Sequence, residues 1–402
     1  MRVLVLSNTP FLPPTAGNRA RIAAMADYLA ASGHEVAMLM LPAADRADWD
    51  VDGMRARLAW LEIATGPEPS RAGLVARARA RFSRAARRIV DTPPAAIGVD
   101  DWCPPWFRDR ARDRVREWQP DVVLVEYVFL SACLDGLDAV HPCVKVIDSH
   151  DLMHRRHAVY ETLGMEPQWF HTTVAEERRG LLRADVVLAM QEEESAVLRT
   201  VVPERRVLTV PHAIPIRPAP LTAARAGRIL LVASYNDLNV HGVAWLLDAV
   251  WPQVRARVPG AELVICGNIA TKLGPLPPGV VARGFVPSLD DEYAAARVVV
   301  TPIPGGTGLK VKSVEGLCHG RPIVSTCAGA VGLDVGEVDG ALVANDAEGF
   351  AAAVLVLLLD DARWRRIVTG ATAQAARRFS PEAVFAPLVA ELERHRAPRP
   401  RH

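Results

Sequence analysis

Residues 303–316 read IPGGTGLKVKSVEG and follow an apolar run, Val298–Pro302, that predicts a buried parallel strand. A glycine-rich loop then leads into a helix predicted over Lys310–His319. Glycines let the backbone approach a ligand closely, and the positive end of the helix points at the same place. Because Lys310 and Lys312 add two formal positive charges, this stretch predicts a site for a phosphate group.

Short apolar runs alternate with helical patterns on both sides of this stretch, which is typical of parallel sheets covered by helices. The predicted strands are Arg2–Ser7, Glu35–Leu41, Leu58–Ala64, Asp121–Glu126, Val144–Asp148, Asp185–Met190, Arg206–Val210, Arg228–Ala233, Glu262–Cys266, Val280–Val286, Val298–Pro302 and Pro322–Ser325. The Pro-rich residues 211–227 show neither helical nor strand periodicity and predict a linker. Helical periodicity over Val240–Val258 predicts one continuous helix in the second half. We therefore expect two domains, 1–210 and 228–380, followed by a last helix and a disordered basic tail within 381–402; the helix packs either on the second domain or back on the first.

Over residues 300–335 the chain resembles the retaining GT-B glycosyltransferases of family 4, in the branch whose loop reads like GGTRLKVLEA. The resemblance extends over nearly the whole chain and implies an α/β GT-B fold, in which two doubly wound Rossmann-like domains face each other across a cleft. It implies transfer of a sugar from a nucleoside diphosphate sugar to an acceptor hydroxyl, with retention at the anomeric carbon, no metal and no separate cofactor. The donor site is then expected at Gly306, Thr307, Gly308, Leu309, Lys310, Lys312 and Glu315, with Glu315 on the ribose hydroxyls.

The sequence departs from the common family pattern in two places. Thr307 stands where the first glutamate of the usual pair would fall, so that only Glu315 remains. Asn236 and His241 stand where an Arg and a Lys usually follow the first strand of the second domain, and neither carries a dependable positive charge at neutral pH. We expect Asn236 and His241 to remain at the donor site and the two lysines of the loop to neutralise the diphosphate.

The first half of the chain supplies the other side of the predicted cleft. Gly17, Asn18 and Arg19 match the family's glycine loop near the acceptor and the transferred sugar. His150, at the end of strand Val144–Asp148, matches the histidine that contacts the donor sugar. Family transfer is front-face, with the leaving phosphate helping to deprotonate the acceptor, so no protein nucleophile is expected.

Two further acidic residues complete the predicted first half of the site. Asp151 is predicted to orient His150 or to take the acceptor proton. Glu126, at the end of a strand, is predicted on the acceptor side.

Other interpretations of the polar residues are less well supported. His150, His154 and His157 match no zinc-binding spacing, so we predict no metal site there. The D-x-D pattern of Asp48-Trp-Asp-Val-Asp52 is predicted to be a solvated loop. Two alternative functions stay open: a GT-B nucleotide-sugar epimerase, and a non-catalytic nucleotide-sugar-binding scaffold.

Composition narrows the class of protein. The 402 residues carry a net charge of +1, which argues against a nucleic-acid binder, and the N-terminus has no secretion signal, so we expect a cytoplasmic protein. The 6 cysteines contain no C-x-x-C pair and predict reduced, mostly buried thiols.

Arg71–Val90 holds 7 arginines and no acid, with an apolar stripe at helical spacing. This stretch predicts either a surface helix or a contact with an anionic membrane that would deliver a lipid-linked acceptor, and a small soluble acceptor stays equally open.

Overall fold

The computed structural model describes residues 1–42, 48–66, 98–162, 164, 171–306 and 308–395, which contain two parallel β-sheets. The first sheet has 7 strands in the order β3-β2-β1-β4-β5-β6-β7. They are β1 (Arg2–Ser7), β2 (Glu35–Met40), β3 (Trp60–Ile63), β4 (Val122–Glu126), β5 (Val144–Asp148), β6 (Val186–Ala189) and β7 (Arg206–Thr209). Leu4 and Leu6 enter one hydrophobic core, whereas Val3 and Val5 enter another on the opposite face. Both faces of this sheet are therefore buried, as expected of a parallel sheet.

The second sheet has 6 strands in the order β10-β9-β8-β11-β12-β13. They are β8 (Arg228–Val232), β9 (Glu262–Cys266), β10 (Val280–Gly284), β11 (Val298–Thr301), β12 (Ile323–Ser325) and β13 (Ala341–Val343). The predicted pair of doubly wound parallel sheets is confirmed. In each sheet the strand order reverses beside the first strand, between β1 and β4 and between β8 and β11. Ligands of such sheets bind beyond the carboxyl ends of the strands at this point.

Helices connect the strands. Those of the first half are α1 (Gly17–Ala31), α2 (Val51–Arg57), α3 (Pro105–Trp118), α4 (Arg156–Thr162), α5 (Val174–Leu181) and α6 (Glu192–Val201). Those of the second half are α7 (Asp237–Trp245), α8 (Trp251–Arg257), α9 (Asp290–Ala295), α10 (Val311–Cys318), α11 (Ala347–Leu359), α12 (Asp361–Arg378) and α13 (Pro381–His395). Shorter 3-10 helices cover Val128–Leu134, Leu137–Ala139, Met153–Arg155, Leu221–Ala223, Asn268–Lys272 and Glu337–Asp339.

The last helix, α13, packs against the first sheet's core. Phe385 and Leu388 join the same core as Val3 and Val5. The ring of Tyr28 lies 5.3 Å from that of Phe385, and its hydroxyl donates to Glu382 at 2.8 Å. The chain therefore passes between the two halves twice, once through residues 211–227 and once before α13.

Two elements differ from the prediction. The helix predicted over Val240–Val258 is divided into α7, a π-helical segment at Leu246–Val250, and α8. Pro252 lies in the first turn of α8, and it has no N–H for the helical ladder, which accounts for the widened turn before it. Strand β13 was not predicted; of its 3 residues, Ala341–Val343, only the last is β-branched.

Four of the cysteines, 103, 133, 266 and 318, are buried free thiols, in line with the prediction. Among the described residues, no helix combines the length and apolar character needed to cross a bilayer. Arg71–Val90 lies outside the described residues, so its contact with a membrane stays a prediction.

Candidate active site

A cleft of about 460 Å³ lies between the two sheets, within the usual size range of small-molecule sites. Asp151 and Arg156, which follow β5, line it from the first half. The second half contributes two segments that follow β8 and β11: Val232, Ala233, Ser234, Tyr235, Asn236, Leu238 and Asn239, and Thr301, Ile303, Gly305, Gly306, Leu309, Lys310, Val311 and Lys312. The two strand-order reversals thus bring both halves to one cleft.

The glycine-rich loop lies at the centre of this cleft. Gly306 and Gly308 have φ of 121° and 78°, a backbone conformation that favours glycine. Helix α10 begins directly after the loop, with Lys310 as its N-cap. The free N–H groups of its first turn therefore face the cleft, where an anion is favoured. Thr307 lies outside the described residues.

Lys310 is folded back over the loop. Its ammonium group donates to the Gly308 carbonyl at 2.7 Å. Burial lowers the pKa of Lys310 to about 8, against the opposing charges of Asp151 and Glu194 from the first half of the chain. The charge of Lys310 is therefore lost as pH rises through 8, and the two carboxyl groups favour its charged form.

Lys312 and Glu315 are bonded to each other one turn further along α10. The Lys312 Nζ atom lies 3.1 Å from Glu315 Oε1 and 3.0 Å from Oε2. The Tyr293 hydroxyl also donates to Oε2, at 2.7 Å. Glu315 is not among the residues that line the cleft; Lys312 reaches from it to the cleft wall.

The two predicted donor residues after β8 differ in their position. Asn236 lines the cleft and caps α7, because its side-chain oxygen accepts from the Asn239 N–H at 2.8 Å. A second helix N-terminus therefore faces the same cleft. His241 is exposed and is not among the lining residues.

The predicted acceptor loop packs directly on the start of α10. A Cβ atom at Gly17 would lie 3.1 Å from the Val311 side chain, so the N-termini of α1 and α10 meet. The Asn18 amide donates to the Tyr127 hydroxyl at 3.0 Å. Arg19 forms an ion pair with Asp48 at 2.8 Å. Asp48, the first aspartate of the D-x-D pattern, is therefore bonded to the predicted acceptor loop.

His150 and Glu126 form a buried pair at the ends of β5 and β4. The His150 Nε2 atom is hydrogen-bonded to Glu126 Oε2, and the imidazole stacks on Tyr127 with ring centroids 4.1 Å apart. Burial raises the pKa of Glu126, although the hydrogen bond to His150 opposes the shift. His150 and Tyr127 both have a positive φ, of 58° and 65°. Such strained backbone in non-glycine residues is frequent at functional sites.

Asp151 is bonded to the backbone just before the 3-10 helix Met153–Arg155 and to Arg156, which also lines the cleft. Its Oδ1 accepts from the Leu152 N–H at 2.9 Å, and its Oδ2 pairs with Arg156 at 3.1 Å. No hydrogen bond between Asp151 and His150 is found in the described part of the chain. The orienting partner of His150 is Glu126.

Arg21 is a buried residue that sequence reasoning missed. Its guanidinium donates to both carboxylate oxygens of Asp148, at 2.6 and 3.0 Å, and to the carbonyls of Val210 and Pro211, at 2.8 and 2.9 Å. Burial acts to raise the pKa of Asp148, but Arg21 holds it below its usual range. Arg21 therefore ties α1 to the end of β5 and to the chain that leaves the first half.

Glu126, Asp148 and His150 are the one group of potential metal ligands among the described residues, with their ligand atoms within 4.8 Å of one another. A cation there would lie beside the Arg21 guanidinium, which already occupies both oxygens of Asp148. His154 is bonded to Glu177 instead, and the side chain of His157 lies outside the described residues. The last two aspartates of the D-x-D pattern have different partners, because Asp50 caps α2 and Asp52 pairs with Arg55. These residues fit a metal ion poorly.

Two further buried groups near the cleft were also missed. Burial, with the nearby Asp151 charge, raises the pKa of Glu194 to about 8, and its Oε2 accepts from the Met190 N–H at 3.2 Å. Its Oε1 would lie 3.6 Å from a Cβ at Gly308, so Glu194 contacts the donor loop from the first half. Burial lowers the pKa of His212 to about 3, which keeps the imidazole neutral.

Residues 226–360 match the family described as Glycosyl transferases group 1. A curated relative from Klebsiella pneumoniae, described as an uncharacterized 44.6 kDa protein in the cps region, is 23% identical over 164 residues. The matched part covers 38% of this chain and 42% of that protein. The group 1 match therefore covers the second sheet, and assignment to family 4 stays a prediction.

Three solved structures are similar over almost the whole chain. Sucrose-phosphate synthase from Thermosynechococcus elongatus has a TM-score of 0.71 at 18% identity, covering 98% of both chains. Anabaena Alr3699/HepE in complex with UDP has a TM-score of 0.67 at 14% identity, covering 98% of this chain and 100% of that one. TarM from S. aureus, solved as a point mutant with UDP among its ligands, has a TM-score of 0.69 at 8% identity, covering 97% of this chain and 99% of that one. These similarities confirm the predicted GT-B fold.

Proposed function

We propose that the protein is a retaining, metal-independent glycosyltransferase that moves a sugar from a nucleoside diphosphate sugar to an acceptor hydroxyl. The observation that carries the proposal is the glycine loop, with the N-terminus of α10, Lys310 and Lys312, opening on the same cleft as Asp151 and Arg156 of the other half. Positive charge on one wall and polar groups on the other suit a diphosphate and a sugar. The family match of residues 226–360 supports the same class.

The donor would lie along the second half of the cleft. The N–H groups of the loop and of the first turn of α10 would hold the diphosphate, and Lys310 and Lys312 would neutralise its charge. The Glu315 carboxylate would accept hydrogen bonds from the ribose. The Alr3699/HepE structures contain UDP and UDP-glucose, so we infer that uridine diphosphate sugars are the first donors to test.

Transfer would occur on one face of the sugar. The bond from the anomeric carbon to the phosphate oxygen breaks, the bond to the acceptor oxygen forms, and the acceptor proton passes to the leaving phosphate. His150, held by Glu126, would contact the transferred sugar. Asp151, paired with Arg156 in the cleft wall, would orient the acceptor hydroxyl. Stabilising the leaving phosphate is then the main task of the protein, because charge develops there in the transition state.

The first experiment is a thermal-shift screen with UDP, GDP, dTDP, ADP and their common sugar conjugates, followed by product analysis with the donor that binds. A ligand that binds only the native state raises the melting temperature. The Glu315→Ala variant is expected to lose the shift, whereas Glu193→Ala, an exposed glutamate of α6, is the matched control. No shift with any nucleotide would overturn the donor site. Binding without transfer would favour a binding protein, and an altered nucleotide sugar would favour an epimerase.

A further inference from the structure

The Glu315 carboxylate is held from two sides by partners of different character. Tyr293 is 1% exposed and donates to Oε2 at 2.7 Å. The Lys312 ammonium lies within 3.1 Å of both oxygens, but this side chain is 38% exposed and also lines the cleft. Tyr293 is therefore a fixed partner of the Glu315 carboxylate. Lys312 can instead turn toward a ligand in the cleft.

The position of Tyr293 is determined by its own surroundings. Its ring stacks on His319 with centroids 4.5 Å apart and planes inclined by 14°. His319 is hydrogen-bonded through Nδ1 to the Glu315 carbonyl at 2.8 Å and through Nε2 to Asp290 at 3.0 Å. Burial raises the pKa of Tyr293 well above its ordinary value, so the hydroxyl keeps its proton and remains a donor. The ring cannot turn away from Glu315 without disturbing this packing.

Counting lone pairs shows what the carboxylate can still accept. Each carboxylate oxygen offers about two acceptor positions in the plane of the group. Tyr293 and Lys312 together fill those of Oε2, and Lys312 also occupies Oε1. A ribose with two neighbouring hydroxyls needs more free positions than remain. Release of Lys312 would supply them, and a diphosphate in the cleft offers Lys312 a more highly charged partner.

We propose that Tyr293 is a positioning residue for recognition of the nucleotide ribose, and that Lys312 exchanges from Glu315 to the diphosphate when the donor binds. The proposal rests on the proposed function, since it assumes that the cleft takes a nucleoside diphosphate. Tyr293 keeps Oε2 in place throughout, and the departure of Lys312 frees Oε1 and part of Oε2 for the 2′ and 3′ hydroxyls. Diphosphate binding thereby opens the ribose site.

The first test compares UDP with 2′-deoxy-UDP by calorimetry in the wild type and in Tyr293→Phe. A hydrogen bond from a ribose hydroxyl to this partly buried carboxylate is expected to favour UDP by roughly tenfold. In Tyr293→Phe, which keeps the stacked ring, this ratio is expected to fall toward one. Tyr28→Phe is the matched control, because it also removes a hydroxyl that donates to a glutamate, Glu382, far from the cleft. An unchanged ratio in Tyr293→Phe would overturn the positioning role.

The second test separates the exchange of Lys312 from a purely orienting role. In Lys312→Ala, UDP is expected to bind roughly tenfold more weakly, whereas uridine, which has no phosphate, binds as well as or better than in the wild type. A loss of uridine affinity equal to that of UDP would show that Lys312 acts by orienting Glu315, against the exchange. A wild type that binds none of the nucleotides refutes the proposed function itself. A wild type that binds 2′-deoxy-UDP as tightly as UDP refutes only the ribose proposal.

Discussion

Gly17 at the start of α1 and Val311 at the start of α10 lie in direct contact, and a Cβ atom on Gly17 would come within 3.1 Å of the valine side chain. The two residues belong to the two predicted walls of the cleft, one on the acceptor side and one on the donor side. The close approach of the walls therefore depends on the absence of a side chain at residue 17.

The Gly17→Val variant is expected to hold the walls apart. Because every residue of the glycine-rich loop and of α10 is retained, nucleotide affinity should change by less than about threefold, while kcat/KM for transfer falls about tenfold or more, the cost of a misplaced reacting group. Parallel calorimetry and initial-rate measurements check this. Gly260→Val is the control, since a Cβ there would meet nothing within 4 Å. Equal activity in the two variants would contradict the role of this contact.

Nucleotide affinity is expected to fall as pH rises through 8. The pKa of Glu194 and that of Lys310 are both about 8, so raising the pH adds a negative charge and removes a positive one beside the diphosphate site. The other charged groups that act on Glu194 are Asp151 and Arg21. Titration calorimetry with UDP from about pH 6.5 to 9.5 measures the effect.

The Glu194→Gln variant separates the two groups in that experiment. It leaves only Lys310 to titrate, so the pH dependence is expected to become shallower by about half. The folded state also binds the Glu194 proton more tightly than the unfolded chain does, and this contribution to stability is lost as pH rises through 8. Glu194→Gln should therefore gain stability relative to the wild type at about pH 9. An unchanged pH profile would argue against an ionisable Glu194.

Removing both lysines at the start of α10 should weaken donor binding. Lys310→Ala with Lys312→Ala is expected to raise the Kd for UDP by roughly 100-fold or more, because charged hydrogen bonds to a phosphate contribute about 1.5–3 kcal/mol each. Arg365→Ala with Arg366→Ala removes two positive charges from the exposed face of α12 and serves as the control. Equal affinity in the lysine variant would contradict the idea that these residues replace the missing Arg and Lys near Asn236 and His241.

Replacing His150 should affect transfer more than binding. The imidazole belongs to the first half of the chain, whereas the loop and α10 belong to the second, so His150→Ala is expected to lower kcat about 100-fold with little change in the Kd for UDP. Glu126→Gln, which keeps the size of the orienting partner, should give a smaller loss. A His150→Ala variant that transfers at the normal rate would remove His150 from the mechanism.

Breaking the Arg21–Asp148 pair should destabilise the protein strongly. Arg21→Met leaves a buried carboxylate without its cation, which is expected to lower the free energy of unfolding by about 3–5 kcal/mol. The exposed pair of Arg57 and Asp27, 2.9 Å apart, is the control, and Arg57→Met should cost less than about 1 kcal/mol. Denaturant titration measures both. Similar losses of unfolding free energy in the two variants would mean that burial does not strengthen the dependence of Asp148 on Arg21.

The sequence predicts well those features whose determinants are close together along the chain. The glycine loop, the N-terminus of α10 and the lysines lie within about ten residues, and strand periodicity needs only a few neighbours. The pairing of Lys312 with Glu315 also follows from their i, i+3 spacing, although it was not predicted.

The missed residues have distant partners. Arg21 and Asp148 are 127 positions apart, and only the pairing of β5 with its neighbours brings them together. The roles of Tyr293 and Glu194 depend in the same way on packing between elements. A buried polar side chain within an apolar stripe, such as Arg21 beside Ile22, Met25 and Leu29, is the one signal that the sequence offered.

The position of Arg21 also restricts how the protein can bend. Its bonds fix the carbonyls of Val210 and Pro211, so the chain that leaves the first sheet is rigid up to that point. The Ile214 N–H then donates at 2.9 Å to the carbonyl of Phe379, on the returning passage to α13. The two passages are thus joined side by side a few residues beyond the anchor. We therefore expect any rotation of one sheet against the other to pivot at this doubled crossing, where the two passages are hydrogen-bonded to each other.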